Sequence, residues 1–301
     1  MIIFSEIITR CKYLKQRIQK SPRYLLTKRV RSFLQNAGAG ETPLTKTEKN
    51  QFLRFLRCHL IDIFNYPFAT KYRYRPVKVH LDSETGLYYV ITDENRRLYF
   101  KRGLKARQIG LIYNSLYMEQ DELSPHNYCF HPLSINSDSV FADVGAAEGI
   151  FTLKFIDRIK AASLFECDEG WMEALQATFR PWKEKVVLVN KYVSDRDGGE
   201  FVSLDNFFRE GEKPTLIKID AEGAESEILK GADKLLSEGI NELIVCTYHK
   251  NGDEQNLSAQ LRAKEYKTTP SSGYMLYLWE KPNYSLEEPF DFRRGVIYAS
   301  K

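Results

Sequence analysis

Apolar positions in the first part of the chain recur at spacings of three and four. Ile3, Ile7, Cys11, Leu14 and Ile18 share one helical face, with Lys12, Lys15, Arg17 and Lys20 largely off it. That spacing predicts an amphipathic basic helix. Ser21-Pro22 reads as a cap followed by a first-turn proline, and Asn36-Ala37-Gly38-Ala39-Gly40 closes the second helix it opens. A third helix is expected from about Thr45 to Asn65, with Phe52, Leu53, Leu56, Leu60, Ile63 and Phe64 facing inward. From Val77 to Arg102 the period shortens to two. Val77-Lys78-Val79-His80-Leu81 alternates, Asp82 to Gly86 supplies turn residues, and Leu87 to Ile91 and Leu98 to Phe100 are rich in β-formers. A small antiparallel meander fits, followed by a helical stretch near Ala106 to Glu122.

The second half alternates short apolar runs with helical patterns. Strands are expected at Ser139 to Asp143, Ser163 to Glu166, Val186 to Asn190, Thr215 to Asp220 and Glu242 to His249. Tyr274 to Trp279 and Val296 to Ala299 read as a closing antiparallel pair. Strands separated by helices predict an α/β fold, a doubly wound, mostly parallel Rossmann-like sheet. The expected organisation is a basic helical cap over residues 1–75, the meander and its connecting helix over 76–125, and the nucleotide-binding domain over 126–301.

Composition limits the function classes. The chain has 301 residues, 43% hydrophobic and 28% charged, the balance of an ordinary folded protein. No run approaches the ~20 apolar residues of a bilayer-spanning helix. The opening residues lack the order of a signal peptide, so a cytoplasmic protein is expected. Five scattered cysteines with no CxxC pair argue against a disulfide framework or a structural zinc site. Charge is lopsided: residues 1–75 hold 16 Lys and Arg against 4 Asp and Glu (net +12), leaving 28 against 36 (net −8) in the rest. A basic front can meet phosphate groups, a lipid surface through its first helix, or the acidic body itself.

The candidate chemistry lies at the strand tips. The first strand ends in Asp143 and turns through Val144-Gly145-Ala146-Ala147-Glu148-Gly149 into a helix. Small residues at 145, 147 and 149 allow close approach to the backbone, and the turn presents amide hydrogens at a helix start. Glu166 ends the second strand, one crossover later, where a carboxylate can accept from both hydroxyls of a ribose. Cys167 follows it in the same site, and Asp168 starts the next helix. After the third strand, Ser194 is the short polar group expected beside an adenine, although Ser194 and Asp195 could equally make the turn into Gly198-Gly199. At the fourth strand Asp220 points into the crevice outside the carboxyl ends, and Glu222 and Glu225 stand in the following first turn, where acids also suit the positive helix end. His249 ends the fifth strand.

Small residues at every second position, with Asp143 two before the first glycine, resemble the first motif of S-adenosylmethionine-dependent methyltransferases. Lys218-Ile219-Asp220-Ala221-Glu222-Gly223-Ala224-Glu225 followed by Leu229-Lys230-Gly231-Ala232 resembles the signature of the FkbM-type methyltransferases. Ser203 to Phe208 is similar to that family's acidic-aromatic turn. The likeness runs from about Phe141 to His249. It implies a methyltransferase sheet with its closing antiparallel pair, and S-adenosylmethionine as cofactor held by Asp143, Gly145, Ala147, Glu148, Gly149, Glu166, Cys167, Ser194 and Asp220. It also implies O-methylation of a sugar or another small hydroxylated metabolite, as in polysaccharide biosynthesis, with S-adenosylhomocysteine as product.

A hydroxyl needs a base while it attacks, and His249, Asp220 and Glu222 are the candidates. Asp220 or Glu222 could instead hold a divalent ion. The basic front suits an acceptor carried on a diphosphate. The rivals are a nucleic-acid methyltransferase, disfavoured by Asp220-Ala221-Glu222-Gly223 where an Asn/Asp-Pro-Pro-aromatic motif would stand, and a cofactor-binding module without turnover. A nicotinamide oxidoreductase is disfavoured by the glycine spacing.

Overall fold

The computed structural model describes residues 21–277 and 289–301. The helix expected over residues 3–18, and Leu278 and Trp279 of an expected strand, lie outside them. The chain divides into two compact units, Met1–Thr70 with Gly273–Arg293 and Lys71–Ser272 with Arg294–Lys301. The expected boundaries therefore move: the meander belongs to the large unit, and a late segment joins the helical one.

In the smaller unit, α1 (Pro22–Asn36) starts as its sequence dictates, with Ser21 Oγ accepting from the Tyr24 amide and Pro22 in the first turn. Helix α2 (Lys46–Phe55) opens on a reciprocal box, in which Thr45 Oγ1 accepts from the Glu48 amide and Glu48 Oε2 from that of Thr45. It stops ten residues short of the expected end. Asp62 and Asn65 explain part of this, because their side chains bond backbone amides at 62 and 63 and compete with helical pairing. Leu26, Val30, Phe52, Phe55, Phe290 and Phe292 form this unit's own core.

The larger unit begins with the meander β1 (His80–Leu81), β2 (Tyr88–Ile91) and β3 (Arg97–Tyr99), which leads into α3 (Ala106–Glu119). Then follow β4 (Val140–Val144), α4 (Ile150–Phe155), β5 (Ala161–Phe165), α5 (Glu169–Phe179) and β6 (Val186–Val189). A ribbon, β7 (Tyr192–Val193) with β8 (Phe201–Val202), precedes α6 (Leu204–Phe207) and β9 (Leu216–Ile219). Helices α7 (Glu225–Lys230) and α8 (Asp233–Glu238), β10 (Glu242–Cys246), α9 (Asp253–Arg262) and β11 (Lys267–Pro270) complete the winding. Strands β12 (Met275–Leu276) and β13 (Phe292–Arg293) pair within the smaller unit, and β14 (Val296–Ser300) returns to the main sheet.

That sheet has seven strands in the order β11-β14-β10-β9-β4-β5-β6, and β14 alone among them runs against the rest. The α/β class and the antiparallel closure agree with expectation, but β14 pairs with β11 at 267–270, while Met275 and Leu276 of the expected partner strand pair with β13. Alternation explains the double winding. Phe141, Leu216, Ile244 and Cys246 enter one core with α3, α4 and α5, while Ala142, Ile217, Leu243 and Val245 enter the other with α7 and α9. Apolar residues on both faces of one strand need helices on both sides. The strand order reverses between β4 and β9, and ligand crevices in open parallel sheets form at that point, outside the carboxyl ends.

Candidate active site

The glycine turn sits at this reversal. Gly145 adopts φ +71°, and an added Cβ would lie 1.8 Å from the Asp220 carbonyl oxygen, so the tips of β4 and β9 touch through a position only glycine can fill. Ala147 is also left-handed at φ 45°, and Gly149 at +81° caps α4. The Ala147 amide donates to Glu166 Oε2 at 2.8 Å, and the Asp168 amide donates to Glu166 Oε1 at 2.8 Å. Glu166 is buried, yet each carboxylate oxygen keeps lone-pair capacity beyond its one amide.

Asp143 takes a different place from the one its sequence position suggests. Its Oδ1 lies 3.0 Å from Lys218 Nζ and its Oδ2 accepts from Thr152 Oγ1 at 2.7 Å, with 1% of the side chain exposed. It braces the turn from beneath and does not face the crevice. Ser194 is likewise buried at the end of β7, its amide donating to the Val202 carbonyl and its hydroxyl to Asp195 Oδ1, while its own carbonyl packs against Gly231. Tyr192 of the same ribbon is exposed, as is Cys167 after Glu166, and the two side chains interact electrostatically.

Asp220 is the hub. Tyr128 Oη donates to its Oδ2, Tyr248 Oη donates to Oδ1 at 3.4 Å, His249 Nε2 stands 3.4 Å from Oδ1, and His126 Nε2 stands 3.7 Å from Oδ2. Burial opposes its ionisation, but Lys218 and the two imidazoles outweigh this and hold the carboxyl at about 2. His126 is fully enclosed, and burial pushes it down to about 4, so it is neutral. His249 behaves oppositely. Burial again disfavours its charge, yet the bond to Glu225 and the carboxylates of Asp220 and Glu222 lift it above the ordinary imidazole range. Glu222 itself, at φ 51°, holds an exposed carboxylate 3.7 Å from His249 Nε2. Around this hub burial raises two more acids, Glu119 to about 8 and Glu148 to about 7.

Three of the sequence-derived residues, Asp220, Glu222 and His249, thus come together, within reach of Gly145. Glu119, His126, Tyr128, Lys218 and Tyr248 join them without having been singled out. Lys218 carried a legible signal, since a lysine inside an apolar central strand requires a buried partner. His126 and Tyr128 sit in a polar linker with no period, and nothing local marks them.

A divalent ion fits this donor set poorly. His126, Asp220 and Cys246, and Asp220, Glu225 and His249, each bring ligand atoms within 4.8 Å. The Asp220 oxygens, however, already take hydroxyl hydrogens, His249 Nδ1 is engaged with Glu225 at 2.8 Å, and Lys218 adds a cation behind them. An adenosine ligand fits better. Glu166 can still accept hydroxyls, the left-handed turn admits close approach, and Glu148 is a buried carboxyl with no hydrogen bond from another residue among those described. No helix among the described residues is long and apolar enough to cross a membrane.

Fold and site together define a doubly wound α/β domain whose crevice lies at the reversal of strand order. Residues 199–277 match the family model described as the Methyltransferase FkbM domain. Among solved structures it is similar to the methyltransferase FkbM from Methylobacillus flagellatus KT, at 16% identity over 65% of this chain and 55% of that one, with a TM-score of 0.44. The chain thus spans little more than half the length of that relative. It is also similar to the precorrin-6y C5,15-methyltransferase from Geobacter metallireducens GS-15, at 14% identity over 70% and 97%, TM-score 0.43. A third is a putative RNA methyltransferase from Pyrococcus horikoshii, at 13% identity over 68% and 92%, TM-score 0.38. A comparison with curated proteins finds no match.

Proposed function

We propose that the protein moves a methyl group from S-adenosylmethionine to a hydroxyl of a sugar or another small hydroxylated metabolite. The observation that carries this reading is the meeting of His249 with Asp220 at the tips of adjacent central strands, one backbone contact from the glycine turn. When bound, the cofactor supplies an electrophilic methyl on a cationic sulfur. Gly145, Ala147, Glu148, Gly149 and Glu166 would hold it, with Cys167 and Tyr192 beside the ribose clamp.

Among the three candidates for the base, we favour His249. Asp220, held at about 2, is too weak a base to take a hydroxyl proton near neutrality. Glu222 is 93% exposed and poorly fixed for a positioned transfer. His249 is buried, oriented and titrates above an ordinary imidazole, so its Nε2 receives the proton. Asp220 keeps its negative charge and stabilises the imidazolium that results. Holding nucleophile and methyl in line supplies the larger share of rate, of order 7–11 kcal/mol in well-oriented systems.

A diphosphate-linked sugar remains one acceptor class, suggested by the basic front; against it stands the acidic surround of the crevice. Calorimetric titration with S-adenosylmethionine and S-adenosylhomocysteine, followed by mass spectrometry for a gain of one methyl group on candidate glycans, tests the proposal. Absence of cofactor binding would overturn it. Methylation of RNA but of no hydroxylated metabolite would replace it with the nucleic-acid reading.

A further inference from the structure

The buried acid that follows the strand-tip carboxylates by a few residues has no part in the mechanism so far. Glu225 opens α7 with 1% of its side chain exposed, deep for an acid whose only task is to complement a helix end. Its Oε1 faces three donors at once. The Ala221 amide donates to it at 3.0 Å, the Gly223 amide at 3.2 Å, and His249 Nδ1 lies 2.8 Å away. The opposite ring nitrogen, Nε2, is thereby turned toward Asp220 and Glu222 at the crevice.

We infer that Glu225 is the positioning residue of His249: it fixes the imidazole with the proton on Nδ1 and so presents Nε2 as the proton acceptor. This rests on the reading of His249 as base. An imidazole bonded to a buried carboxylate through Nδ1–H has its tautomer and orientation set, and the carboxylate stabilises the ring once Nε2 is protonated. Among the described residues no other carboxylate does this from behind the ring. Asp220 and Glu222 face Nε2, His126 meets the far oxygen of Asp220, Asp253 faces the ring through its field alone, and the Tyr248 ring lies against it at a tilt of 39°, centroids 4.0 Å apart. The same Oε1 also ties down the turn that holds Glu222 and Gly223 in left-handed conformations, so one atom couples that turn to the imidazole.

Glu225→Gln separates the two roles. The amide oxygen still accepts from Ala221 and Gly223 and keeps the turn, but the charge behind the imidazole is gone. In ¹⁵N-labelled full-length protein, with His249 assigned by comparison with His249→Gln, the ring's titration midpoint is expected to fall by about one pH unit in Glu225→Gln. The acid limb of the kcat/KM profile should move to lower pH with it, and kcat should drop about 10- to 100-fold at unchanged acceptor KM. An unmoved midpoint would make Glu225 a turn brace and overturn the inference. If the variant does not fold, the wild type decides: above its midpoint the His249 ring must carry its proton on Nδ1, and a proton found on Nε2 refutes the proposal. The nuclear magnetic resonance readouts need no turnover, so they stand or fall separately from the methyl-transfer reading.

Discussion

Lys218 Nζ lies 3.0 Å from Asp143 Oδ1, and the two residues are direct partners across the parallel pair β4 and β9, with 4% and 1% of their side chains exposed. The lysine also donates to the Gly145 carbonyl at 2.7 Å. One buried cation thus joins both strands to the turn between them. Removing one member of such a pair leaves a charge uncompensated in a dry interior, at a cost of about 3–5 kcal/mol. Lys218→Met is therefore expected to lose that much in urea denaturation, whereas Lys218→Met with Asp143→Leu recovers a large part of it. A single-variant loss below about 1 kcal/mol, the size of a surface pair, would show that the bridge does not brace the turn.

The turn itself makes a sharper demand. Gly145→Ala places a methyl 1.8 Å from the Asp220 carbonyl, and backbone on both sides cannot yield as a side chain would. Loss of cofactor binding with destabilisation beyond about 2 kcal/mol is expected. Ala147→Gly goes the other way, since the native φ of 45° strains alanine and suits glycine. Unchanged or higher thermal stability is the expected result, and a clear loss would mean that the alanine methyl packs on something essential.

His249→Gln tests the division of labour between base and counter-charge. If His249 takes the hydroxyl proton, its loss lowers kcat by about 10²–10⁴-fold. Cofactor affinity measured by calorimetry should change little, since Glu166 and the glycine turn stand on other strands. Equal loss of both would assign the imidazole to binding.

Much of this site could be read from the chain because strand tips announce themselves. Glu166, Asp220 and His249 each end an apolar run, and the parallel winding carries all three to one edge. Asp143 follows the same rule and yet points inward. Its fate was decided by Lys218, seventy-five residues later in the chain, through a register that no local pattern reveals. His126 and Tyr128 were illegible for a related reason: the linker that bears them has no period, and only tertiary packing brings it against Asp220. The closing strand was misplaced because Tyr274 to Leu276 is as good a β-former as Lys267–Pro270, and its partner Phe292–Arg293 belongs to another core. Glu225 is not legible as a partner of His249, because an acid in a first helical turn already has an adequate explanation in the helix dipole and its imidazole partner stands on a different strand.

The raised acid in the glycine turn makes a prediction about stability and pH. Glu148 is 6% exposed, and burial lifts its carboxyl from an ordinary 4.5 to about 7. The unfolded chain ionises it near 4.5, the folded chain only near 7. Its contribution is therefore most favourable below pH 4.5 and is lost as pH rises through 7, by about 3 kcal/mol for a displacement of this size. Glu148→Gln abolishes that dependence. Urea midpoints for both proteins at pH 5, 6, 7 and 8 should show the variant gaining steadily on the wild type, with the difference levelling off above 7. Glu119, pushed to about 8 in part by Glu148, is present in both proteins and relaxes in the variant, which enlarges the gain on the alkaline side. Asp220 shifts in the opposite sense and titrates near 2, outside the window, so it cannot produce the effect. A pH-independent difference between the two proteins would place the Glu148 carboxyl in water and remove it from the crevice.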